Sequence, residues 1–175
     1  MQAAPCSVLQ TLVASGNESK LILAFTHFDE VKGYASGEAQ VAAGLRRSAV
    51  VSAERAEQLM VKNGFSAQRA RDFLSSMDGP ITARIAEPGE GFLRYTDVAG
   101  SRGSFLTTTR FGSSAEAVEG LYLKPYGNTA SLVQPVTASG RSIVLEGAIK
   151  NGASGVRQTL IIDRNAFEFG IGQGY

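Results

Sequence analysis

Gly91-Phe-Leu-Arg-Tyr-Thr-Asp97, followed by Gly103-Ser-Phe-Leu-Thr-Thr-Thr-Arg-Phe-Gly-Ser-Ser-Ala-Glu-Ala-Val118, is the stretch on which the fold turns. Phe92 to Thr96 and Ser104 to Thr109 are short runs of aromatic, apolar and β-branched residues between glycines, which predicts two strands. Ser113-Ser-Ala-Glu116 then has the spacing of a capping box, and Ala117, Val118 and Leu121 supply the apolar stripe of a helix. Working outward, Ile81 to Ile85, Leu132 to Thr137, Ser142 to Ile149, Gln158 to Asp163 and Ala166 to Phe169 complete about seven strand candidates. Of the 20 glycines, 14 lie from Gly89 onward, where they break these runs into turns. The expected fold class is α+β: an N-terminal helical segment, then a compact, mostly antiparallel β-rich domain with one internal helix.

Upstream of residue 80 the chain is rich in Ala, Glu, Gln and Arg. Ser52 to Met60 and Ser66 to Leu74 match as Ser-Ala-x-Arg-Ala followed by two apolar residues. Each Ser is placed to cap a helix, Ala56/Leu59/Met60 and Ala70/Phe73/Leu74 fall at i, i+3, i+4, and Gly64 can end the first helix. The spacing predicts a helical hairpin over residues 53–77. Two copies are too few for a solenoid, so residues 1–79 are expected to form a delivery or docking segment and residues 80–175 the working domain. Ala and Gly richness from Tyr34 to Gly44 suggests a linker or a frayed helix.

Composition excludes several classes of function. With 17 Lys plus Arg against 16 Asp plus Glu the net charge is +1, so no global field steers the protein to polyanions. One cysteine, Cys6, and one histidine, His27, leave no disulfide framework and no multi-His or multi-Cys metal cage. The longest apolar run, Leu21 to Phe25, falls far short of the ~20 residues that span a bilayer. Thr26-His-Phe-Asp29 resembles the guanine-reading segment of GTPases, but the phosphate loop such enzymes need is missing.

The order of the remaining motifs is informative: Arg94 on an early strand, Gly103-Ser-Phe-Leu-Thr107, a helix, the turn Leu123-Lys-Pro-Tyr-Gly-Asn128, Glu146 on a strand, and Gly155-Val-Arg-Gln158. This order resembles the C-terminal toxin domains of polymorphic, contact-dependent bacterial toxins. Within them it is similar to the ADP-ribosyltransferase-like NAD glycohydrolases of the necrotising-toxin group. The family's Arg-Tyr-Gly reads Arg94-Tyr95-Thr96 here, and its Gly-Gly-x-Gln reads Gly155-Val-Arg-Gln158. The resemblance covers about residues 80–170. It implies an ADP-ribosyltransferase-like fold and consumption of NAD, as substrate rather than as a permanently bound cofactor. It also implies a cognate immunity protein, and delivery by a larger parent protein into the target-cell cytoplasm.

Cleaving the nicotinamide–ribose bond of NAD passes through an oxocarbenium-like state, so a site must grip a diphosphate, immobilise the base and stabilise positive charge. Arg94 is a planar fork suited to phosphate oxygens, and Tyr95 or Phe105 offers a stacking face. Thr107 or Ser104 can hold the ribose, and Asn128 sits in a turn that can contact the ligand. Gln158 matches the family's late Gln, and Glu146 is the nearby strand carboxylate. No metal is required. Each residue also has a plainer role: Arg94 as the polar alternate of a half-buried strand, Phe105 as core, the threonines as strand formers, Asn128 as a turn residue, Glu146 as an ion-pair partner.

Two other functions remain open on the sequence. A metal-independent ribonuclease toxin cleaving tRNA can work with Arg, Lys, Thr, Tyr and carboxylates in place of histidine. A non-catalytic binding module needs none of these residues.

Overall fold

The twin Ser-Ala-x-Arg-Ala segments fold as the two arms of a helical hairpin in the computed structural model, which describes residues 48–175. Cys6, Leu23 to Asp29 with His27, and the Tyr34 to Gly44 stretch lie outside the described residues. Helix α1 spans Ala53–Lys62 and α2 spans Ala67–Leu74; the Ser52 and Ser66 hydroxyls accept from the Arg55 and Arg69 amides, at 3.2 Å each. Between them Gly64 takes φ +93°. The Gly64 amide donates to the Val61 carbonyl and the Phe65 amide to that of Met60, closing α1 with a Schellman motif. The hairpin ends at Leu74, earlier than expected, because the following strand already begins at Met77.

The strands are β1 (Ala49–Val51), β2 (Met77–Ala86), β3 (Gly91–Thr96), β4 (Phe105–Leu106), β5 (Leu132–Ala138), β6 (Ser142–Ile149), β7 (Arg157–Ile161) and β8 (Phe167–Phe169); helix α3 is Ser114–Gly120. All strand pairs are antiparallel. They form a larger sheet in the order β1-β2-β6-β7-β4 and a smaller one in the order β3-β5-β8. The α+β expectation holds in its coarse form, mixed helices and antiparallel sheet. Strand β1 has no counterpart among the expected strands, and β2 is longer than expected because Gly79, at φ +69°, lets it bend around a bulge. Strand β4 is far shorter than the expected Ser104 to Thr109. Thr107 leaves β7 and pairs instead with Leu93 of β3, so one residue after β4 the chain joins the two sheets.

Register fixes what each face carries, since directly paired residues share a face. The row Phe105–Leu160–Leu145–Ala83 crosses the larger sheet on the side where Phe105 meets Phe73 of α2, ring centroids 4.8 Å apart. On the opposite side Leu106, Val144, Ile161 and Ala86 pack against Phe92, Val136, Ala138 and Phe167 of the smaller sheet. The outer face of the smaller sheet carries Tyr95 and Leu93, packed with Ala117, Val118 and Leu121 of α3 and its cap. The layers are therefore helices, sheet, sheet, helix. The described residues, 48–175, lie in one compact unit that includes the hairpin. The capping box of α3 is partly rewired: Ser113 Oγ accepts from the Glu116 amide, but Glu116 Oε2 accepts from the amide of Gly112 rather than that of Ser113.

Leu145 is fully buried at the centre of the larger sheet. Leu145→Ala is expected to lower the unfolding free energy by about 2–5 kcal/mol, read as a lower urea midpoint at unchanged slope.

Candidate functional site

Along β3, Phe92, Arg94 and Thr96 turn to the face that looks toward the larger sheet, while Leu93 and Tyr95 turn to α3. Arg94 is thus a cation placed at the rim of an apolar inter-sheet layer, opposite Gln134 of β5 in the strand register. Its Nη1 is fully engaged, donating to the Ser101 carbonyl at 3.0 Å, the Ser101 hydroxyl at 2.7 Å and Gln134 Oε1 at 3.2 Å. Gln134, only 1% exposed, is itself anchored by donating from Nε2 to the Gly170 carbonyl at 2.9 Å.

The other edge of the Arg94 guanidinium is different. Nε and Nη2 donate to no protein acceptor among the described residues. They lie against Gly103, where a Cβ would sit 2.6 Å from Nε and 2.9 Å from Nη2. Only glycine leaves room for the guanidinium there. Burial depresses the Arg94 pKa, and the charge of Asp97 partly offsets it. No carboxylate of the described residues comes within ion-pair distance, so the side chain is a half-buried cation whose Nε–Nη2 edge has no protein partner among them. Such an edge matches two oxygens of a phosphate or carboxylate.

The other residues singled out in the sequence fall into separate groups. Tyr95 and Asn128 belong together: Asn128 Nδ2 donates to the Tyr95 carbonyl at 3.1 Å, and Asn128 Oδ1 accepts from the Ala130 amide at 2.9 Å. The Tyr95 hydroxyl accepts from the Phe111 amide and donates to the Thr109 carbonyl. Phe105 and Gln158 lie on the helix-facing side of the larger sheet. There Gln158, 7% exposed, donates from Nε2 to both the carbonyl and the hydroxyl of Ser76 at the foot of the hairpin. Ser104 is buried, its carbonyl accepting from the Ile161 amide. Thr107 is buried, its hydroxyl donating to the Arg157 carbonyl at 2.8 Å.

Glu146 faces the smaller sheet and is held by Arg84, whose Nε donates to it at 2.8 Å and whose Nη1 reaches Glu90 at 2.9 Å. Burial alone would depress the Arg84 pKa, but the hydrogen bonds and charges of Glu90 and Glu146 overcome this and hold it above the ordinary arginine range. The carboxylate of Glu146 thus shares the Arg84 charge with Glu90.

Arg94 is thus brought together with Asp97, Ser101, Gly103 and Gln134, not with Gln158 or Glu146. Asp97, Ser101 and Gly103 lie in or beside the motif that drew attention to Arg94. Gln134 gave no signal beyond being a polar residue in an alternating strand. Among the described residues no three His, Cys, Asp or Glu side chains come together as metal ligands.

The fold is shared with Tse6 as seen in its complex with Tsi6. The TM-score is 0.53 at 15% identity, over 67% of this chain and 91% of that one. Tne2, in its complex with Tni2, has a TM-score of 0.45 at 19% identity, over 54% of this chain and 94% of that one. No family model and no curated protein matches the sequence.

Gly103 has an ordinary backbone conformation, and the atoms a Cβ would meet are the end of a flexible side chain. Gly103→Ala is therefore expected to shift the melting temperature by only a few degrees, as for a change of about 1 kcal/mol or less. It should also move the Arg94 Nε–H resonance in a nitrogen–proton NMR spectrum, because the fork must leave its place.

Proposed function

We propose that this chain is the toxin domain of a toxin–immunity pair and that it cleaves the nicotinamide–ribose bond of NAD. The observation that carries the reading is the Nε–Nη2 edge of Arg94, laid against Gly103 with no carboxylate of the described residues within ion-pair distance. The motif order around Arg94 supports it through its resemblance to NAD-consuming toxins. The fold shared with Tse6, a protein solved in complex with Tsi6, supports a cognate inhibitor as partner. NAD is an intracellular metabolite, so the reading places the action in the cytoplasm of a target cell.

In this reading Nη1 of Arg94 is fixed by Ser101 and Gln134, so the fork is aimed before the substrate arrives and little side-chain entropy is lost on binding. The Nε–Nη2 edge takes two oxygens of the diphosphate, which also neutralises a cation that burial has made costly. With the diphosphate held, the bond between ribose C1′ and the nicotinamide nitrogen breaks and its electron pair goes to the nitrogen. That quenches the ring's positive charge and leaves an oxocarbenium-like ribose. Water oxygen then bonds to C1′ and its proton leaves to solvent. Tyr95 and Asn128 act by fixing the strand that bears Arg94, while Ser104, Phe105, Thr107 and Gln158 hold the neighbouring strand and hairpin in place. Glu146 would serve through its pairing with Arg84.

Nicotinamide release from NAD by the purified chain, followed over time, tests this. Arg94→Lys keeps the charge and loses the fork, and is expected to reduce kcat/KM by on the order of 10- to 100-fold, equivalent to about 1.4–2.7 kcal/mol. Absence of release at micromolar enzyme, together with cleavage of total tRNA by the same preparation, would replace the NAD reading with the ribonuclease one.

A further inference from the structure

A second concentration of uncompensated positive charge lies beside the α1–α2 turn, where the chain leaves β7. A cleft of about 540 Å³ opens between the α1–α2 turn, the β7–β8 connection and the loop before β4. Arg69, Arg102 and Arg164 line it, with Phe65, Asp163 and Asn165 among the other walls. We infer that this cleft is a binding site for a nucleoside diphosphate, its phosphates held by Arg69, Arg102 and Arg164 and its base by the face of Phe65.

The argument rests on how these three arginines are held. Arg71, Arg84 and Arg141 each have a carboxylate within 4 Å. Arg69, Arg102 and Arg164 have none among the described residues, yet each is oriented. Arg164 Nη1 donates to the Arg102 carbonyl at 3.1 Å, and Arg102 Nη2 donates to the Phe167 carbonyl at 3.3 Å while its guanidinium lies 5.2 Å from the Phe169 ring centre. The Arg69 guanidinium lies 6.0 Å from the Phe65 ring centre and 5.3 Å from that of Phe73. Carbonyls and rings fix direction without cancelling charge. Asp163 supplies the one carboxylate of the lining, and its Oδ1 is taken up in accepting from the Asn165 amide. Three cations against one anion leave the cleft with a charge of +2.

Convergent like charges raise the energy of the empty site and are relieved by a polyanion. Planar forks select oxygens in pairs, as a diphosphate presents them. The volume exceeds what a diphosphate fills and lies within the range of small-molecule sites, which leaves space for a nucleoside beside the half-buried Phe65. The site stands apart from Arg94 in its residues, and its test does not depend on NAD being cleaved.

Titrations of the full chain with ADP, with pyrophosphate and with adenosine, read by NMR at the arginine Nε–H groups and the Phe65 ring protons, test the inference. ADP should move Arg69, Arg102, Arg164 and Phe65 together, in wild type and equally in Arg94→Ala. Pyrophosphate should move the arginines and shift Phe65 less than ADP does, and adenosine alone should bind at least about 10-fold more weakly than ADP. Arg102→Ala with Arg164→Ala should weaken ADP binding by at least about 10-fold. These side chains are on the surface, so an unchanged melting temperature will confirm that the variant is folded. Millimolar ADP that shifts none of these groups would overturn the inference. So would ADP shifts confined to Arg94, or binding that the double substitution leaves unchanged. Loss of NAD cleavage in the nicotinamide assay with ADP binding intact would sink the proposed reaction and leave this site standing.

Discussion

The structure depends on a single hand-over of hydrogen bonds at Thr107. Phe105 and Leu106 pair with Leu160 and Thr159 of β7, and one residue later Thr107 exchanges amide and carbonyl bonds with Leu93 of β3 at 2.9 and 2.8 Å. The Thr107 hydroxyl donates to the Arg157 carbonyl and accepts from the Thr109 amide, so its side chain ties β7 to the exit of β4. Two sheets whose facing sides meet through side chains are thus also joined by the backbone along one edge. The 97–103 loop leads from β3 to β4; its Ser101 holds Arg94, and its Arg102 reaches the Phe167 carbonyl of β8. Burying a threonine at the joint is economical, because its hydroxyl satisfies a carbonyl that the strand switch would otherwise leave unpaired.

Near-neutral total charge conceals a division of labour among the arginines. Arg84, set between Glu90 and Glu146, is a closed ion-pair network whose partners saturate it, and such a network has little left to offer a ligand. Arg94, Arg69, Arg102 and Arg164 are held by carbonyls, hydroxyls, an amide and rings. Direction is supplied and neutralisation is not. The distinction is invisible to a count of 17 basic against 16 acidic residues, because what matters is which cations find carboxylates in the folded chain.

How far the sequence could be read follows from which interactions are local. The hairpin was legible to within a few residues because its caps, its apolar spacing and Gly64 all act within one helical turn. Most strands were legible through alternation and turn residues. Strand β1 was not, since three residues acquire strand character only by pairing with Ile81 to Ala83. The shortening of β4 was equally hidden, as nothing in Ser104 to Thr109 says that pairing will pass from β7 to β3 at Thr107. At the site, Arg94 was legible as a polar residue on an apolar strand. Its surroundings were not: Gln134 is 40 residues away, and Gly103 reads as a turn glycine until the guanidinium is found lying on it.

Gln158 shows how register, which residue order does not reveal, sets the neighbours of a side chain. Its place in the chain invites a catalytic reading, yet it pairs opposite Gly147 and shares the side of the sheet occupied by Leu160, Phe105 and the hairpin. An amide buried on that side needs acceptors, and Ser76 supplies two, its carbonyl and its hydroxyl. The bond also fixes the point where α2 passes into β2, and so sets how the hairpin lies on the sheet. That placement carries Arg69 and Phe65 to the lip of the cleft facing Arg102 and Arg164. A buried amide can thus staple the element that frames a cleft, and the hairpin forms one of that cleft's walls.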